Sequence, residues 1–301
     1  MNLSPIVMFV YNRPWHTQQT LDALKKNELA EQSHLIVYSD AAKNDELKKS
    51  VEKVRSLISN ITGFKKVTVV ERKKNWGLAD SIINGVTATL NQYGKIIVLE
   101  DDIVTSTCFL RYMNDALDYY QNVGKVMHIS GWNYPISSES LDETFFLRTT
   151  SCWGWATWGR AWKFFDKDPQ NLVETFTKKD RSDFDFNVRA GMWSQVTGNL
   201  SGKLNTWAVF WYATVFKLNG LCLHPSNSLV KNIGHDGSGV HCGTSDIFYA
   251  TLSDKSVAHF SDDITENTKA MGRIQKFFLN NKKSFFDRVI NRLFRMCGNS
   301  R

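Results

Sequence analysis

The stretch from Lys95 to Ile103 constrains this chain more than any other. It begins with a run of branched aliphatic residues and ends with three adjacent acids, in the order Lys-Ile-Ile-Val-Leu-Glu-Asp-Asp-Ile. An uninterrupted apolar run of this length predicts a strand covered on both faces, which occurs where helices flank a parallel sheet. Glu100, Asp101 and Asp102 then fall at the carboxyl end of that strand, where open α/β sheets bind their ligands.

These three carboxylates need a positive partner. At the end of a buried strand they repel one another and lose water, which destabilises the fold unless positive charge lies close by. Hard divalent cations such as Mg²⁺ and Mn²⁺ supply that charge, and they bind carboxylate oxygens together with substrate phosphate oxygens. The alternative is an acidic turn in solvent. Because a buried strand precedes the acids, the sequence favours the cation site.

The composition is that of an ordinary globular protein and does not identify a single class of binding partner. The chain is 42% hydrophobic and 22% charged, and its net charge of +7 favours acidic partners. The 10 tryptophans and 19 phenylalanines suit sugar stacking, but they also suit a plain core. The five cysteines lack metal-site or disulfide spacing, which favours a reducing cytosol. No signal-peptide pattern and no run of about 20 apolar residues is found.

Strand and helix patterns alternate along the first part of the chain, and this predicts an α/β fold with a parallel sheet. The predicted strands are 6–11, 34–38, 66–70, the acidic strand, 125–130 and 145–148. The predicted helices are 15–29, 45–58, 79–92 and 108–120.

Aromatic and glycine residues mark the later part of the chain. Ser151 to Gly159 carries three tryptophans beside glycines, which form either a platform for a sugar face or part of the core. Residues 163–202 are predicted to form a flexible or helical insertion over the site, and 206–218 a helix. Asn232 to Cys242 combines three glycines with two histidines and one acid, which is typical of a loop that closes over a ligand.

The end of the chain is basic and amphipathic. From Lys269, apolar residues recur at helical spacing and Lys or Arg residues fill the other face. This pattern predicts a tail over 263–301 that lies on an anionic membrane surface. The alternative is an ordinary C-terminal helix that docks on the domain.

The order of these features resembles the GT-A glycosyltransferases, and among them the N-acetylglucosaminyltransferase I type and the bacterial family 2-like sugar transferases. The resemblance runs from about residue 4 to about residue 242. The segments that carry it are Asn12-Arg13, Ser39-Asp40, Glu100-Asp101-Asp102, Ser130-Gly131-Trp132-Asn133 and Trp153-Gly154-Trp155. It implies a GT-A domain over 1–262, with a nucleotide-binding half to about residue 104 and an acceptor half from about residue 105.

The resemblance also implies roles for single residues. Arg13 and Asp40 are expected to hold the base and ribose of a nucleotide. Asp102 is expected to bind the metal, with His241 as a second contact to metal or pyrophosphate. The other residues expected at the donor site are Asn75, Gly77, Glu100 and Asp101.

One departure from the resemblance concerns the catalytic base. Inverting members of the N-acetylglucosaminyltransferase I type carry a carboxylate at the start of the helix that begins here with Asn205-Thr206, and an amide cannot accept a proton. Asp236 is therefore the predicted base. The alternatives are an acid from the segment 179–185, or a different mechanism. Inversion and retention of configuration both stay open.

These features predict a metal-dependent glycosyltransferase that uses Mn²⁺ or Mg²⁺. It would move a hexosyl or N-acetylhexosaminyl group from a nucleotide sugar, expected to be a UDP-sugar, to a glycan or lipid-linked glycan at the cytoplasmic face of the membrane. A sugar nucleotidyltransferase would need a glycine-rich phosphate loop after the first strand, which Tyr11 to Pro14 does not provide. A non-catalytic nucleotide-sugar or glycan-binding protein is the other alternative. Nucleic acid is not expected, because the excess positive charge is concentrated in the tail.

Overall fold

The computed structural model describes residues 3–237 and 246–281. The strands in these ranges are β1 (Ile6–Val10), β2 (His34–Ser39), β3 (Lys66–Glu71), β4 (Lys95–Glu100), β5 (Ile103–Thr105), β6 (Val126–Ser130), β7 (Thr144–Leu147), β8 (Trp155–Trp158), β9 (Leu221–Pro225) and β10 (Val230–Asn232). The helices are α1 (Pro14–Lys25), α2 (Asp45–Ile58), α3 (Leu78–Tyr93), α4 (Phe109–Tyr119), α5 (Gly159–Trp162), α6 (Pro169–Thr175), α7 (Lys178–Phe184), α8 (Met192–Leu200), α9 (Ala208–Lys217) and α10 (268–281).

Eight strands form one sheet in the order β3-β2-β1-β4-β8-β6-β9-β7. The first four are parallel, as their alternation with helices predicts. β8 lies antiparallel between β4 and β6, β9 is parallel to β6, and β7 is antiparallel to β9. β5 and β10 form a separate antiparallel pair. The predicted fold class, an α/β sheet flanked by helices, is confirmed.

Strand β4 is covered on both faces, as its uninterrupted apolar sequence predicts. Ile96 and Val98 belong to one buried cluster, whereas Ile97 and Leu99 belong to a second cluster on the opposite face. All four side chains are fully buried. Because strand side chains alternate between faces, this arrangement requires apolar residues at every position.

Two of the three tryptophans in the 151–159 segment are core residues. Trp155 and Trp158 lie in β8 and are 0% and 4% exposed. Trp158 donates its Nε1–H to the carbonyl oxygen of Leu117 at 3.1 Å. Trp155 stacks on Trp207 with a centroid separation of 5.3 Å. For these two residues the core interpretation is correct, and the sugar-platform interpretation is wrong.

The insertion over 163–202 is helical, and α6, α7 and α8 lie within it. The start of α7 explains why periodicity alone gave no clear signal there. A capping box between Thr177 and Asp180 begins this helix, which is only seven residues long. Segments this short contain too few turns to show an apolar stripe.

The first part of the predicted tail packs on the domain. On one side of α10, Ala270 and Ile274 are 0% exposed and Phe278 is 8% exposed. Phe278 contacts Tyr134 and Phe186 at centroid separations of 5.7 and 5.6 Å. A separate tail beginning at residue 263 is therefore wrong for the residues through 281, because their apolar side already contacts the core. Residues 282–301 lie outside the described ranges.

In the described part of the chain, no helix is both long enough and apolar enough to cross a lipid bilayer.

Candidate active site

Arg13 meets the acidic triplet at the carboxyl ends of two neighbouring strands. Arg13 follows β1 and immediately precedes α1, and the three acids begin at the end of β4, which pairs with β1. Its Nη2 lies 2.9 Å from Oδ2 of Asp102 and also forms an ion pair with Asp101. The side chains of both aspartates are more than nine-tenths buried. The sheet order thus joins two residues that are 89 positions apart.

The electrostatic environment of the triplet favours an additional cation. Burial, together with the neighbouring charges of Asp102 and Asp101, raises the pKa of Glu100 to about 8, although the Arg13 charge acts against this rise. Burial also raises the pKa of Asp101 to about 6, although the Arg13 charge acts against this rise. Burial alone would lower the pKa of Arg13, but the two aspartates raise it above its usual value. One arginine therefore compensates only part of the negative charge.

Asp102 and His235 have unpaired atoms that suit a metal ion. Oδ1 of Asp102 is buried without a hydrogen-bond partner in the described structure, and so are both ring nitrogens of His235. Both residues line the same cavity. Carboxylate oxygen and imidazole nitrogen are established ligand types for divalent cations. Within the described ranges no three His, Cys, Asp or Glu side chains form a metal site unaided, so the remaining ligands would come from substrate or water.

The glycine-rich loop after β10 lies directly on the acidic triplet. The backbone N–H of Ile233 donates to the carbonyl oxygen of Asp102 at 2.9 Å. A Cβ atom on Gly234 would lie 2.1 Å from Oδ2 of Asp102 and 2.9 Å from Nη1 of Arg13. Only glycine permits this approach, because any larger residue would displace the Arg13–Asp102 pair.

Asp40 organises a second loop beside the site. Its carboxylate accepts hydrogen bonds from the backbone N–H groups of Ala41, Trp76 and Gly77 and from the side-chain amide of Asn75, at 2.9 to 3.1 Å. Gly77 has a φ of 75° and immediately precedes α3. A carboxylate offers about four acceptor positions, so these contacts occupy Asp40 fully.

A cavity of about 400 Å³ opens from the triplet toward α9 and α10. This volume lies within the range of small-molecule sites in proteins. Its polar lining comprises Glu100, Asp102, Thr150, Ser151, Gln195, Asn205, Thr206, Asn232 and His235. Its aromatic lining comprises Trp132, Tyr134, Trp153, Trp207, Trp211, Tyr212, Phe248 and Phe278.

The predicted insertion reaches this cavity. Met192 and Gln195, both in α8, form part of the wall, so the insertion lies over the site as expected. Trp153, unlike Trp155 and Trp158, also lines the cavity. The sugar-platform interpretation of the tryptophan segment is therefore open for this residue alone.

Comparison with known proteins shows which family this chain belongs to. The sequence model for glycosyl transferase family 2 matches residues 6–185, a range that includes Arg13, Asp40 and the acidic triplet. The chain belongs to glycosyl transferase family 2. The expected relation to family 2-like sugar transferases is thus confirmed. Among curated protein sequences, none matches the chain significantly.

Several solved glycosyltransferases are similar to this family 2 chain. S. aureus TarS 1-349 is 12% identical with a TM-score of 0.41, and the match covers 75% of this chain and 59% of that one. The mannosyltransferase PcManGT from Pyrobaculum calidifontis, in complex with GDP-Man and Mn²⁺, is 9% identical with a TM-score of 0.38 and 72% of each chain covered. Mouse xyloside xylosyltransferase 1 is 11% identical with a TM-score of 0.37, covering 71% of this chain and 81% of that one. The chain spans less than two thirds of the TarS chains.

The predicted second metal contact of this family 2 protein, His241, lies outside the described residues. His235 is the histidine that reaches the cavity, although sequence reasoning named it only as part of the loop. The sequence shows only that His235 directly follows Gly234, and the structure shows that this glycine packs against Asp102.

The base candidates of this family 2 protein differ in their surroundings. Oδ2 of Asp236 lies 3.1 Å from Nε2 of His16, and Asp236 is about half exposed and does not line the cavity. Asn205 and Thr206 do line the cavity, so the position that carries a carboxylate in inverting relatives is present without an acid.

The three alternative acids in α7 and directly after it are engaged locally. Asp180 closes the capping box with Thr177, and Asp183 pairs with Lys179. Asp185 accepts a hydrogen bond from the backbone N–H of Met192 at 2.7 Å. The cavity wall contains none of the three. Like Asp236, each of them would have to leave its present contact to act as the base, so this alternative stays a prediction.

Proposed function

We propose that this family 2 protein transfers a sugar from a nucleotide-sugar donor to a hydroxyl group, with Mn²⁺ or Mg²⁺ at Asp102. The observation that carries the proposal is the unpaired Oδ1 of Asp102, which shares a cavity with the unpaired ring of His235 beside Arg13. Asp102 and His235 would hold the cation. When bound, it would neutralise charge on the departing diphosphate.

Arg13 supports the same chemistry from the other side of the triplet. Its side chain is 17% exposed and is held in place by two aspartates, so it is preorganised for an anionic ligand. Guanidinium groups bind phosphate oxygens through paired N–H donors. We infer that Arg13 contacts the diphosphate or ribose, and that Glu100 and Asp101 shape the adjacent donor site.

Asp40 contributes to donor binding through the loop that it holds. Because its acceptor positions are occupied, the direct nucleotide contact expected from the resemblance is replaced by a positioning role. Asp40 fixes Asn75 and Gly77 at the start of α3. Free backbone N–H groups at a helix start favour anionic ligands, so this loop is well placed to approach the nucleotide.

Asp236 stays the proposed base. It follows His235 on the loop that covers Asp102, and its side chain is accessible. A base must come within about 3 Å of the acceptor hydroxyl. Asp236 would have to exchange its His16 contact for a position facing the cavity, a change of the kind that substrate binding produces in other enzymes.

We propose a UDP-sugar as donor and a glycan or lipid-linked glycan as acceptor, with the protein peripheral on the cytoplasmic face of the membrane. The basic sequence after residue 281 supports the membrane surface, since it contains six Lys or Arg residues and one acid.

A non-catalytic nucleotide-sugar-binding protein is the second candidate. The amide and hydroxyl of Asn205 and Thr206, at the position where an acid would serve as base, favour it. Hydrolysis or transfer of a bound donor distinguishes the two candidates, because a binding protein releases its ligand unchanged.

The proposal predicts metal-dependent nucleotide binding. UDP and GDP, each with and without Mn²⁺, would be added to the wild type and to Asp102→Asn in thermal unfolding experiments. Nucleotide at 100 times its Kd stabilises a protein by about 2.7 kcal/mol, and we expect such a rise only when Mn²⁺ and Asp102 are both present. The matched control is Asp45→Asn, an exposed aspartate that pairs with Lys48. An equal rise in the presence of EDTA would contradict the metal assignment.

A further inference from the structure

The cavity has an aromatic end that the sequence match to family 2 covers only in part. We use this name for Trp132, Tyr134, Trp153, Phe248 and Phe278. Phe248 and Phe278 lie beyond residue 185, where the family match stops. The C-terminal part of the chain therefore completes the wall of the same cavity that contains Asp102.

Each ring described next contacts its neighbour in space, so that together these rings lead from His235, beside the acids, to α10. Trp153 meets His235 edge-on at a centroid separation of 5.4 Å, and Trp132 meets Trp153 at 4.8 Å. Phe248 follows at 6.3 Å from Trp132 and 6.2 Å from Phe278. The aromatic end thus begins at the histidine beside the triplet and leads away from it.

Trp132 lines this end of the cavity and carries a buried donor without a partner. The residue is 4% exposed, and its Nε1–H has no hydrogen-bond partner among the described residues. Three other buried indoles have partners: Trp158 donates to Leu117, Trp162 to Thr87 and Trp211 to His128. Trp155 has none, but it does not line the cavity. A buried donor without an acceptor is unfavourable, and a bound ligand that supplies one would be preferred.

We propose that the aromatic end binds a sugar ring of the acceptor, with a ring face against the aromatic side chains and one sugar oxygen accepting the Trp132 Nε1–H. This inference rests on the proposed function, which assigns the donor diphosphate to Asp102 and Arg13. The donor sugar then occupies the polar end of the cavity, and the acceptor occupies the aromatic end. A purely apolar occupant would leave the indole unpaired and would face the polar side chains of Gln195 and Asn205.

Indole N–H resonances report this contact directly. The full chain, labelled with ¹⁵N-tryptophan and saturated with UDP and Mn²⁺, would be titrated with methyl glycosides of glucose, galactose and N-acetylglucosamine. We expect one of these to shift the Trp132 resonance, which is assigned by its loss in Trp132→Phe. We also expect Trp132→Phe to weaken glycoside binding roughly threefold to tenfold, as for one lost hydrogen bond.

Trp155→Phe is the matched control. Trp155 also carries a buried, unpaired indole N–H, but it lies outside the cavity wall. We expect the Trp155 resonance to stay unchanged when the wild type is titrated with glycosides. We also expect Trp155→Phe to bind the glycosides with wild-type affinity. Equal weakening by both substitutions would overturn the assignment, because it would show a general effect on the core.

A second pair of variants tests the C-terminal wall. Phe278→Leu alters a ring that lines the cavity, whereas Phe277→Leu alters its neighbour, which does not line it. We expect only Phe278→Leu to weaken glycoside binding. Equal affinities of both variants and the wild type would remove α10 from the site.

Two outcomes separate this inference from the proposed function. If UDP with Mn²⁺ binds but no glycoside moves the Trp132 resonance, the acceptor assignment is wrong and the proposed donor site is unaffected. If cyclohexylmethanol binds this end and the glycosides do not, the occupant is apolar and the inference is also wrong. Failure of UDP and GDP to bind would instead contradict the proposed function itself.

Discussion

His128 illustrates how burial fixes the protonation of a single side chain beside the site. Its Nδ1 accepts a hydrogen bond from the indole N–H of Trp211 at 2.9 Å, and its Nε2 donates to the carbonyl oxygen of Ser151 at 3.0 Å. These partners require the neutral ring protonated at Nε2. Burial, together with His224, lowers the pKa of His128 to about 3, although the Ser151 contact acts against this. The neutral ring thus joins β6, α9 and the cavity wall at Ser151.

This pKa predicts how stability changes with pH. Between pH 6.5 and about 3, the unfolded chain binds a proton at residue 128 and the folded protein does not. The stabilising contribution of neutral His128 is therefore complete above pH 6.5 and is lost as the pH falls through this range. We expect His128 to contribute about 1.4 kcal/mol per pH unit to the decline in unfolding free energy.

Urea unfolding at pH 7, 6 and 5 measures this contribution. His128→Gln is expected to be less stable at pH 7 but to show a shallower decline than the wild type. His259→Gln, at an exposed position, serves as the control and is expected to retain the wild-type decline. Parallel declines for all three proteins would show that His128 does not titrate on unfolding in this range.

At the level of residues, the sequence places Arg13 and the acidic triplet at one edge of the sheet, because both come just after strands of a predicted parallel sheet. Their roles stay predictions. His235 was harder to identify, because the choice between it and His241 depends on where Gly234 meets Asp102. Trp132 was identified only as part of a motif, since nothing in a sequence shows which buried indoles lack a hydrogen-bond partner.

At the level of elements, the loop before α3 depends on one carboxylate. Trp76 and Gly77 both donate backbone N–H groups to Asp40, and Asn75 adds its side-chain amide. Arg72 stacks on the Trp76 ring at 3.8 Å, which holds the loop from its outer side. The loop shape is thus defined before any ligand binds.

We expect Asp40→Ala to destabilise the nucleotide-free protein by about 2–4 kcal/mol, because several buried donors lose a charged acceptor. Urea unfolding without nucleotide tests this. Glu46→Ala, an exposed acid in α2, is the control. A variant with wild-type stability but weaker nucleotide binding would instead support the direct contact that the resemblance implies for Asp40.

The sequence predicted most elements of the first hundred residues, because strand and helix periods alternate there without interruption. β8 was missed as a strand. Its four residues pair with β4 and β6, which are remote in the sequence, and both its faces are buried, so no alternation marks it. The tryptophans in β8 were therefore ambiguous until the pairing was known.

At the level of the whole molecule, the described part of α10 belongs to the domain. It contributes Ala270, Ile274 and Phe278 to the core. The basic residues 282–301 stay the proposed membrane contact. Sequence periodicity did not distinguish a helix that docks on the domain from one that lies on a membrane, because both need an apolar face.

Two truncations test which residues bind the membrane and which stabilise the fold. Removal of 282–301 is expected to abolish binding to phosphatidylglycerol vesicles at low salt, because it removes most of the basic face, and to leave the unfolding free energy unchanged. Removal of 268–301 is expected to cost about 3–6 kcal/mol, since buried apolar side chains are lost with α10. Vesicle sedimentation and urea unfolding measure the two effects. Retained vesicle binding after the first truncation would place the membrane contact on the domain instead.

The position of β8 also affects how this protein is made. β4 ends at residue 100, but the strand that covers its free edge is not translated until residue 158. During synthesis, an apolar strand edge therefore stays open while more than fifty further residues leave the ribosome. Exposed edges of this kind pair readily with other chains. Residues 1–104, the predicted nucleotide-binding half, thus have the sequence order of a unit that folds first, but this unit depends on later residues for protection against aggregation.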